Sequence, residues 1–104
     1  MEAEQTERYL SIQTYMELLQ GAESKRQHDY TKSFIKDFGL ITLPFTENIG
    51  HRAAIYIEAY TTSCGLRAGD AIIAATAAEY NLMLCTGNVK HFKPIKDLRL
   101  CLFK

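Results

Sequence analysis

Two acidic residues, Glu17 and Asp70, stand beside apolar segments at the predicted starts of helices. Asp70 opens the stretch DAIIAATAAEYNLMLCTGN, which ends on the polar side chain of Asn88. A magnesium ion typically takes one or two carboxylates together with waters and substrate phosphates. Two acids are few for such chemistry, because a site for two metal ions needs enough carboxylates to hold both ions about 4 Å apart.

Both acids also have structural explanations. Thr14 and Glu17 have the spacing of a capping box, in which the glutamate only completes the first turn of a helix. Asp70 can be a helix N-cap, or a charge that the helix dipole stabilises. His91 is the one histidine close to Asn88 in sequence. A lone histidine between lysine and phenylalanine is more often a surface or stacking residue than a catalyst, so the sequence favours that interpretation.

Several classes of site and protein are disfavoured by the sequence. It contains no P-loop, GxGxxG, GxSxG or HExxH motif, so nothing indicates a bound nucleotide or a covalent nucleophile. No apolar run approaches the ~18 residues of a membrane span. The three cysteines are an odd number without CxxC spacing and indicate reduced thiols, which favours a cytoplasmic protein.

The formal net charge of zero argues against strong non-specific binding to nucleic acid. The charge is nevertheless uneven, with nine acidic and six basic residues in 1–60 against three acidic and six basic residues in 61–104. Four of these bases lie close together near the C-terminus: Lys90, Lys93, Lys96 and Arg99. They are either a solvated surface or a small patch for phosphate.

The 104 residues predict one domain in which strands alternate with helices. Strands are predicted over residues 9–13, 40–45, 82–86 and 98–103. Helices are predicted from Thr14, from Ser24 to Gly39, from Thr46 to Gly65 and over residues 70–80, the last of them buried because it is apolar nearly all round. This order predicts a three-layer α/β domain, with a mostly parallel sheet of about four strands and helices on both faces. Ligands of such sheets bind beyond the carboxyl ends of the strands, where Glu17 and Asn88 are expected.

Three stretches carry a resemblance to a known family: SIQTYMELLQGAESKR at 11–26, GLRAGDAIIAATAAEYNLMLCTGN at 65–88 and VKHFKPIKDLRL at 89–100. Together they cover about half of the chain, and the middle stretch is the most specific. They resemble PIN-domain proteins of the VapC-like kind, the toxin halves of prokaryotic toxin–antitoxin pairs. The resemblance implies that residues 1–104 form a single PIN-like domain that is truncated at its N-terminus.

The resemblance implies an endoribonuclease that depends on Mg²⁺ or Mn²⁺ and has a cognate antitoxin as its partner. Glu17 and Asp70 match acids of the family and would be metal ligands, directly or through water. Asn88 falls where relatives place an Asn or a further acid, and it could orient a ligand or a water. His91 falls where many relatives carry an Asp or Glu.

The chain departs from the family pattern at its N-terminus. The family usually begins with a central strand that carries its first aspartate, whereas this sequence begins with MEAEQTER and continues directly into the match for the second strand. A start recorded too late, a truncated remnant and a shortened chain that assembles with another copy are three open explanations. A homo-oligomer is expected in the last case, with residues 1–13 or the helix face of residues 56–60 at the contact.

Three functions therefore compete at this point. The first is a VapC-like ribonuclease, weak or inactive if the first acidic strand is absent. The second is a non-catalytic PIN remnant that binds an antitoxin or another subunit. The third is a small-molecule-binding domain of flavodoxin type, which is disfavoured because no phosphate-binding glycine loop follows a strand.

Overall fold

A computed structural model describes residues 8–86 and 89–102 of the chain. The chain forms two compact units, Met1–Pro44 and Phe45–Lys104. Each unit combines helices with a pair of parallel strands, so the predicted α/β class with parallel strands is confirmed. In the described residues, no helix is both long and apolar enough to cross a membrane.

The first unit contains a parallel strand pair connected by two helices. Its elements are β1 (Tyr9–Ser11), α1 (Ile12–Gly21), α2 (Lys25–Asp37) and β2 (Ile41–Leu43). The register of the pair places Tyr9 opposite Ile41 and Ser11 opposite Leu43. A hydrogen bond of 3.0 Å from the Ile41 amide to the Arg8 carbonyl extends the pairing by one position.

The second unit contains two long helices followed by a second parallel strand pair. Its elements are α3 (Glu47–Cys64), α4 (Ala68–Glu79), β3 (Leu84–Thr86), α5 (Val89–Phe92) and β4 (Leu100–Leu102). The register of this pair places Leu84 opposite Leu100 and Thr86 opposite Leu102. Both predicted strands of this unit, at residues 82–86 and 98–103, are thus present. Each is shorter in the structure than the sequence predicts.

The first helix begins earlier than the sequence predicts. Ser11 is its N-cap, and the Ser11 hydroxyl accepts a hydrogen bond of 3.0 Å from the Thr14 amide. Because that amide already has a partner, Thr14 lies inside the helix and does not cap it. Glu17 instead accepts a hydrogen bond of 2.9 Å from the side-chain amide of Gln13. The predicted start at Thr14 and the capping-box explanation of Glu17 are therefore wrong.

The predicted ends of α2 and α3 agree with the structure, whereas α4 begins at Ala68, two residues before the predicted start. The hydroxyls of Ser24 and Thr46 cap α2 and α3. Gly39 follows α2 at φ +66°, and its amide and that of Leu40 donate to carbonyls of the last helical turn. Gly65 ends α3 at φ +71°. Glycine suits these two positions because a left-handed backbone costs it nothing, whereas a side chain would add strain.

The core of the second unit forms around the alanine-rich helix α4. Ala71, Ala74 and Ala75 are all 0% exposed, as the apolar pattern predicts. The largest fully buried side chains in the described residues, Ile49, Leu66 and Ile95, come from α3, the α3–α4 connection and the segment after α5. Small side chains on α4 allow α3 to approach closely, so the two helices form the base on which β3 and β4 pack.

A polar network joins the same elements at a half-buried position. Arg52 of α3 donates to the carboxylate of Glu79 at 2.6 Å and to that of Asp97 at 2.5 Å. The Tyr56 hydroxyl donates to Asp97 at 3.0 Å. The hydrogen bonds to Tyr56 and Glu79 raise the pKa of the Arg52 guanidinium, and burial raises the pKa of the Tyr56 phenol. Arg52 also neutralises Glu79 at the C-terminal end of α4, where the helix dipole disfavours a carboxylate.

The burial of two segments differs from what their apolar sequences suggest. Cys85 lies in the apolar run of residues 82–86, yet it is exposed. Alternate side chains of a strand point to opposite faces, and it is Leu84 that packs against the core. The helix face of residues 56–60 was expected at a contact between copies, but Tyr56 is part of the core and Tyr60 packs against it.

We expect the substitution Arg52→Ala to lower the free energy of unfolding by about 1–3 kcal/mol, because Glu79 and Asp97 lose a charge-assisted hydrogen-bond partner. Urea denaturation followed by circular dichroism measures this change. Arg26→Ala, an exposed position on α2, is the matched control and should change stability by no more than about 0.5 kcal/mol. Equal, small effects of the two substitutions would contradict a structural role for the network.

Candidate active site

Asp70 is held at the edge of the core by the burial of its neighbours. Leu66 is 2% exposed just before α4, and the Thr61 hydroxyl donates to the Leu66 carbonyl at 3.2 Å. Ala71, directly after Asp70, is 0% exposed. The backbone on both sides of Asp70 is thus fixed, while its side chain stays 25% exposed to solvent.

The structure rejects one of the two structural explanations of Asp70. The N-cap of α4 is Arg67, whose side chain makes no capping hydrogen bond, and Asp70 lies inside the first turn. The partial positive charge of that turn stabilises a carboxylate. This stabilisation does not occupy the carboxylate oxygens, which leaves them available for another partner.

His91 is that partner, and the structure brings it to Asp70 from another element. Its Nδ1 lies 3.5 Å from Oδ2 of Asp70, and its side chain is 35% exposed. The separation is longer than the 2.7–3.2 Å of a good N–H···O hydrogen bond. Two apolar anchors on the same segment, Phe92 and Ile95, are buried and hold the segment in place. His91, for which the sequence favours a surface or stacking role, thus lies beside Asp70 with part of its side chain in solvent.

The pair lies just after the carboxyl end of β3. That strand ends at Thr86, and α5, which carries His91, begins at Val89. The sequence places Asn88 between these two elements, but Asn88 lies outside the described residues. The prediction that Asn88 contributes to the site therefore stays a prediction.

Glu17 belongs to the first unit, where it is exposed on α1. It lies six residues after the end of β1, which is about 1.7 helical turns beyond the strand terminus. On that helix Glu17 accepts an exposed hydrogen bond from the side chain of Gln13, which costs little to break. The approach of Glu17 to Asp70 remains a prediction from the sequence.

Basic residues follow the pair along the chain. Lys90, Lys93 and Lys96 are all exposed. Arg99 donates instead to the Asn81 carbonyl at 2.6 Å, just after the C-terminus of α4. Three of the four clustered bases thus keep their ammonium groups in solvent around α5, where they can attract a phosphate.

The donor set at this position is small but suits a hydrated divalent ion. In residues 8–86 and 89–102, no group of three or more His, Cys, Asp and Glu side chains is positioned to hold a metal. Asp70 and His91 supply one oxygen and one nitrogen donor, both partly open to solvent. Magnesium-type sites often use one or two carboxylates and keep several waters, so a set of this size fits.

Comparison with known proteins identifies the family to which this arrangement belongs. The sequence profile of the PIN domain matches residues 1–96. The chain belongs to the PIN domain family. Among proteins with curated descriptions, none matches this chain.

Solved structures of toxin–antitoxin complexes resemble this PIN domain. A chain of the toxin–antitoxin complex from Klebsiella pneumoniae is 28% identical, with a TM-score of 0.71 over 88% of this chain and 70% of that one. VapBC-1 from nontypeable Haemophilus influenzae is 26% identical, with a TM-score of 0.75 over 91% and 73%. DNA-bound VapBC from Salmonella typhimurium is 25% identical, with a TM-score of 0.71 over 89% and 73%. The VapC-like resemblance of the sequence is therefore confirmed.

Asp70→Asn is expected to change the free energy of unfolding by less than about 1 kcal/mol, because a first-turn charge and a partly exposed ion pair each contribute little. Thr46→Ala removes a side-chain cap of α3 and should cost about 1 kcal/mol. Thermal and urea denaturation of both variants test this ranking. A loss above 2 kcal/mol for Asp70→Asn would show that the carboxylate is needed for folding, and would weaken its assignment to a functional site.

Proposed function

We propose that this PIN domain is a metal-dependent endoribonuclease of the VapC-like type, which cleaves phosphodiester bonds of RNA. The observation that carries the proposal is the position of Asp70. In a chain of the PIN family, this carboxylate caps nothing, remains open to solvent and faces His91 beyond the carboxyl end of β3. Sites for ligands are expected at that end of parallel strands.

In this proposal the chain's own residues bind and orient the reacting groups. Glu17 and Asp70 would hold Mg²⁺ or Mn²⁺ directly or through water, and Asn88 would orient a ligand or a water. A divalent ion bound there would lower the pKa of a bound water, orient the phosphate and stabilise the leaving oxygen. The exposed ammonium groups of Lys90 and Lys93 would attract the RNA backbone toward the site.

We expect the purified chain to cleave single-stranded RNA only with added Mg²⁺ or Mn²⁺, and EDTA to abolish the cleavage. Asp70→Asn should lower the rate by at least about tenfold to a hundredfold, because even indirect partners of a metal contribute that much. Glu58→Gln, an exposed position on α3, is the control and should keep the wild-type rate. Gel analysis of a labelled RNA measures all three rates. Cleavage that persists in Asp70→Asn would contradict the assignment.

A second candidate function is a non-catalytic PIN protein that acts by binding an antitoxin or another subunit. The small donor set favours it, since only Asp70 and His91 converge in the described part of the second unit. Absence of any metal-dependent RNA cleavage, together with a well-folded chain, would favour this candidate over the ribonuclease.

The antitoxin partner is also part of the proposal, and relatives that were solved as toxin–antitoxin complexes support it. The chain offers a surface of suitable chemistry on α2, where Tyr30, Phe34 and Phe38 are exposed. Phe34 and Phe38 stack on each other with ring centroids 4.4 Å apart. Exposed aromatic side chains that form a continuous patch are typical of protein-interaction surfaces. A cytoplasmic location, which the cysteine content favours, completes the proposal.

We further propose that the chain alone forms a dimer or a larger homo-oligomer. Large apolar side chains that are exposed on or beside the strands support this proposal, because contact with another copy would bury them. They are Ile41 in β2 of the first unit and Met83 just before β3 of the second.

Light scattering across a concentration series is expected to give a mass of at least twice that of the monomer at micromolar concentration. The buffer should contain a reductant, because Cys64 and Cys85 are not in disulfide bonds and their oxidation would crosslink copies. A monomer over the whole series that unfolds cooperatively would refute the homo-oligomer.

A further inference from the structure

We propose that His91 is a metal ligand beside Asp70, and that its nitrogen makes the site prefer a first-row transition ion such as Mn²⁺ over Mg²⁺. This inference rests on the proposed function only in taking the Asp70 position as a metal site. It concerns which ion binds and through which atoms, and it can be tested without measuring RNA cleavage.

The geometry of the pair suits two ligands of one ion. Adjacent ligands of an octahedral ion, at bond lengths of about 2.1 Å, lie about 3 Å apart. Nδ1 of His91 and Oδ2 of Asp70 are 3.5 Å apart, a difference that a small side-chain rotation closes. Both side chains are partly exposed, so an ion and its waters can reach them.

The backbone that carries each donor is anchored by buried neighbours. Ala71 follows Asp70 and is 0% exposed, while Phe92 follows His91 and is 4% exposed. The two donors come from α4 and from α5, which contact each other in the core of the second unit. Both donors therefore lie on a backbone that is already held in place, and preorganisation of this kind lowers the entropic cost of binding.

The chemistry of the donor pair determines the preference. Mg²⁺ is a hard ion that favours oxygen ligands and gives up its waters reluctantly, so an imidazole adds little to its binding. Mn²⁺ is the weakest binder of the first-row divalent ions and also accepts oxygen ligands, but as a transition ion it binds an imidazole nitrogen more readily than Mg²⁺ does. A site with one carboxylate and one imidazole should therefore bind Mn²⁺ more tightly than Mg²⁺, whereas a site of carboxylates alone would discriminate less.

Titration of the full chain with Mn²⁺ and, separately, with Mg²⁺ tests the inference. Calorimetry should give a lower Kd for Mn²⁺ than for Mg²⁺ with the wild type. His91→Gln should weaken Mn²⁺ binding by about tenfold and change Mg²⁺ binding by less than twofold. Pulsed electron paramagnetic resonance of bound Mn²⁺ should show coupling to a ¹⁴N nucleus in the wild type and none in His91→Gln. His51→Gln, an exposed histidine on α3, is the control and should keep the coupling.

The outcomes separate the inference that His91 is a metal ligand from the proposal that the chain is a ribonuclease. Bound Mn²⁺ without nitrogen coupling, or equal weakening of both ions by His91→Gln, overturns the inference while leaving a carboxylate site intact. Nitrogen-coupled Mn²⁺ in a chain that does not cleave RNA supports the inference and removes the ribonuclease proposal. Failure of the wild type to bind Mn²⁺ at millimolar concentration overturns the inference outright.

Discussion

The second unit depends on the close packing of one alanine-rich helix. Because Ala71, Ala74 and Ala75 have small side chains, the buried face of α4 lets α3 and the strand pair approach it closely. The same burial fixes the start of the helix, and Asp70 is consequently held at the rim of the core with its carboxylate open to solvent. Burial of the apolar helix thus fixes the backbone of its first turn, and the fixed backbone holds the charged side chain in one position. A larger residue at any of the three alanines would displace both the core and the acid.

Local signals in the sequence predicted most helix ends and failed where two signals competed. Gly39 and Gly65 were predictable, since helices that end on a left-handed residue strongly favour glycine. At the start of α1, Ser11 and Thr14 are both good caps, and the pairing of β1 with β2 ends at Ser11. Helical backbone can begin directly after that point, so Ser11 becomes the cap. The strand pairing that favours Ser11 over Thr14 as the cap cannot be predicted from the local sequence.

The candidate site was predictable from the sequence only in part. Asp70 was found because an acid before an apolar helix is conspicuous. His91 was set aside because its neighbours Lys90 and Phe92 are typical of a surface segment. The sequence signal that could have found His91 is the pair of apolar residues Phe92 and Ile95. Their side chains are buried, and their burial turns this segment toward α4. Likewise, the Arg52 network joins residues 27 and 45 positions apart, which no local pattern reveals.

The site depends on one divalent ion that binds where Asp70 and His91 meet in the second unit. A crystal structure of the chain grown with MnCl₂, with anomalous data collected at the manganese edge, tests this most directly. We expect one strong anomalous peak within coordination distance of the Asp70 carboxylate and the His91 imidazole. Absence of a peak at Asp70 would contradict a metal site there.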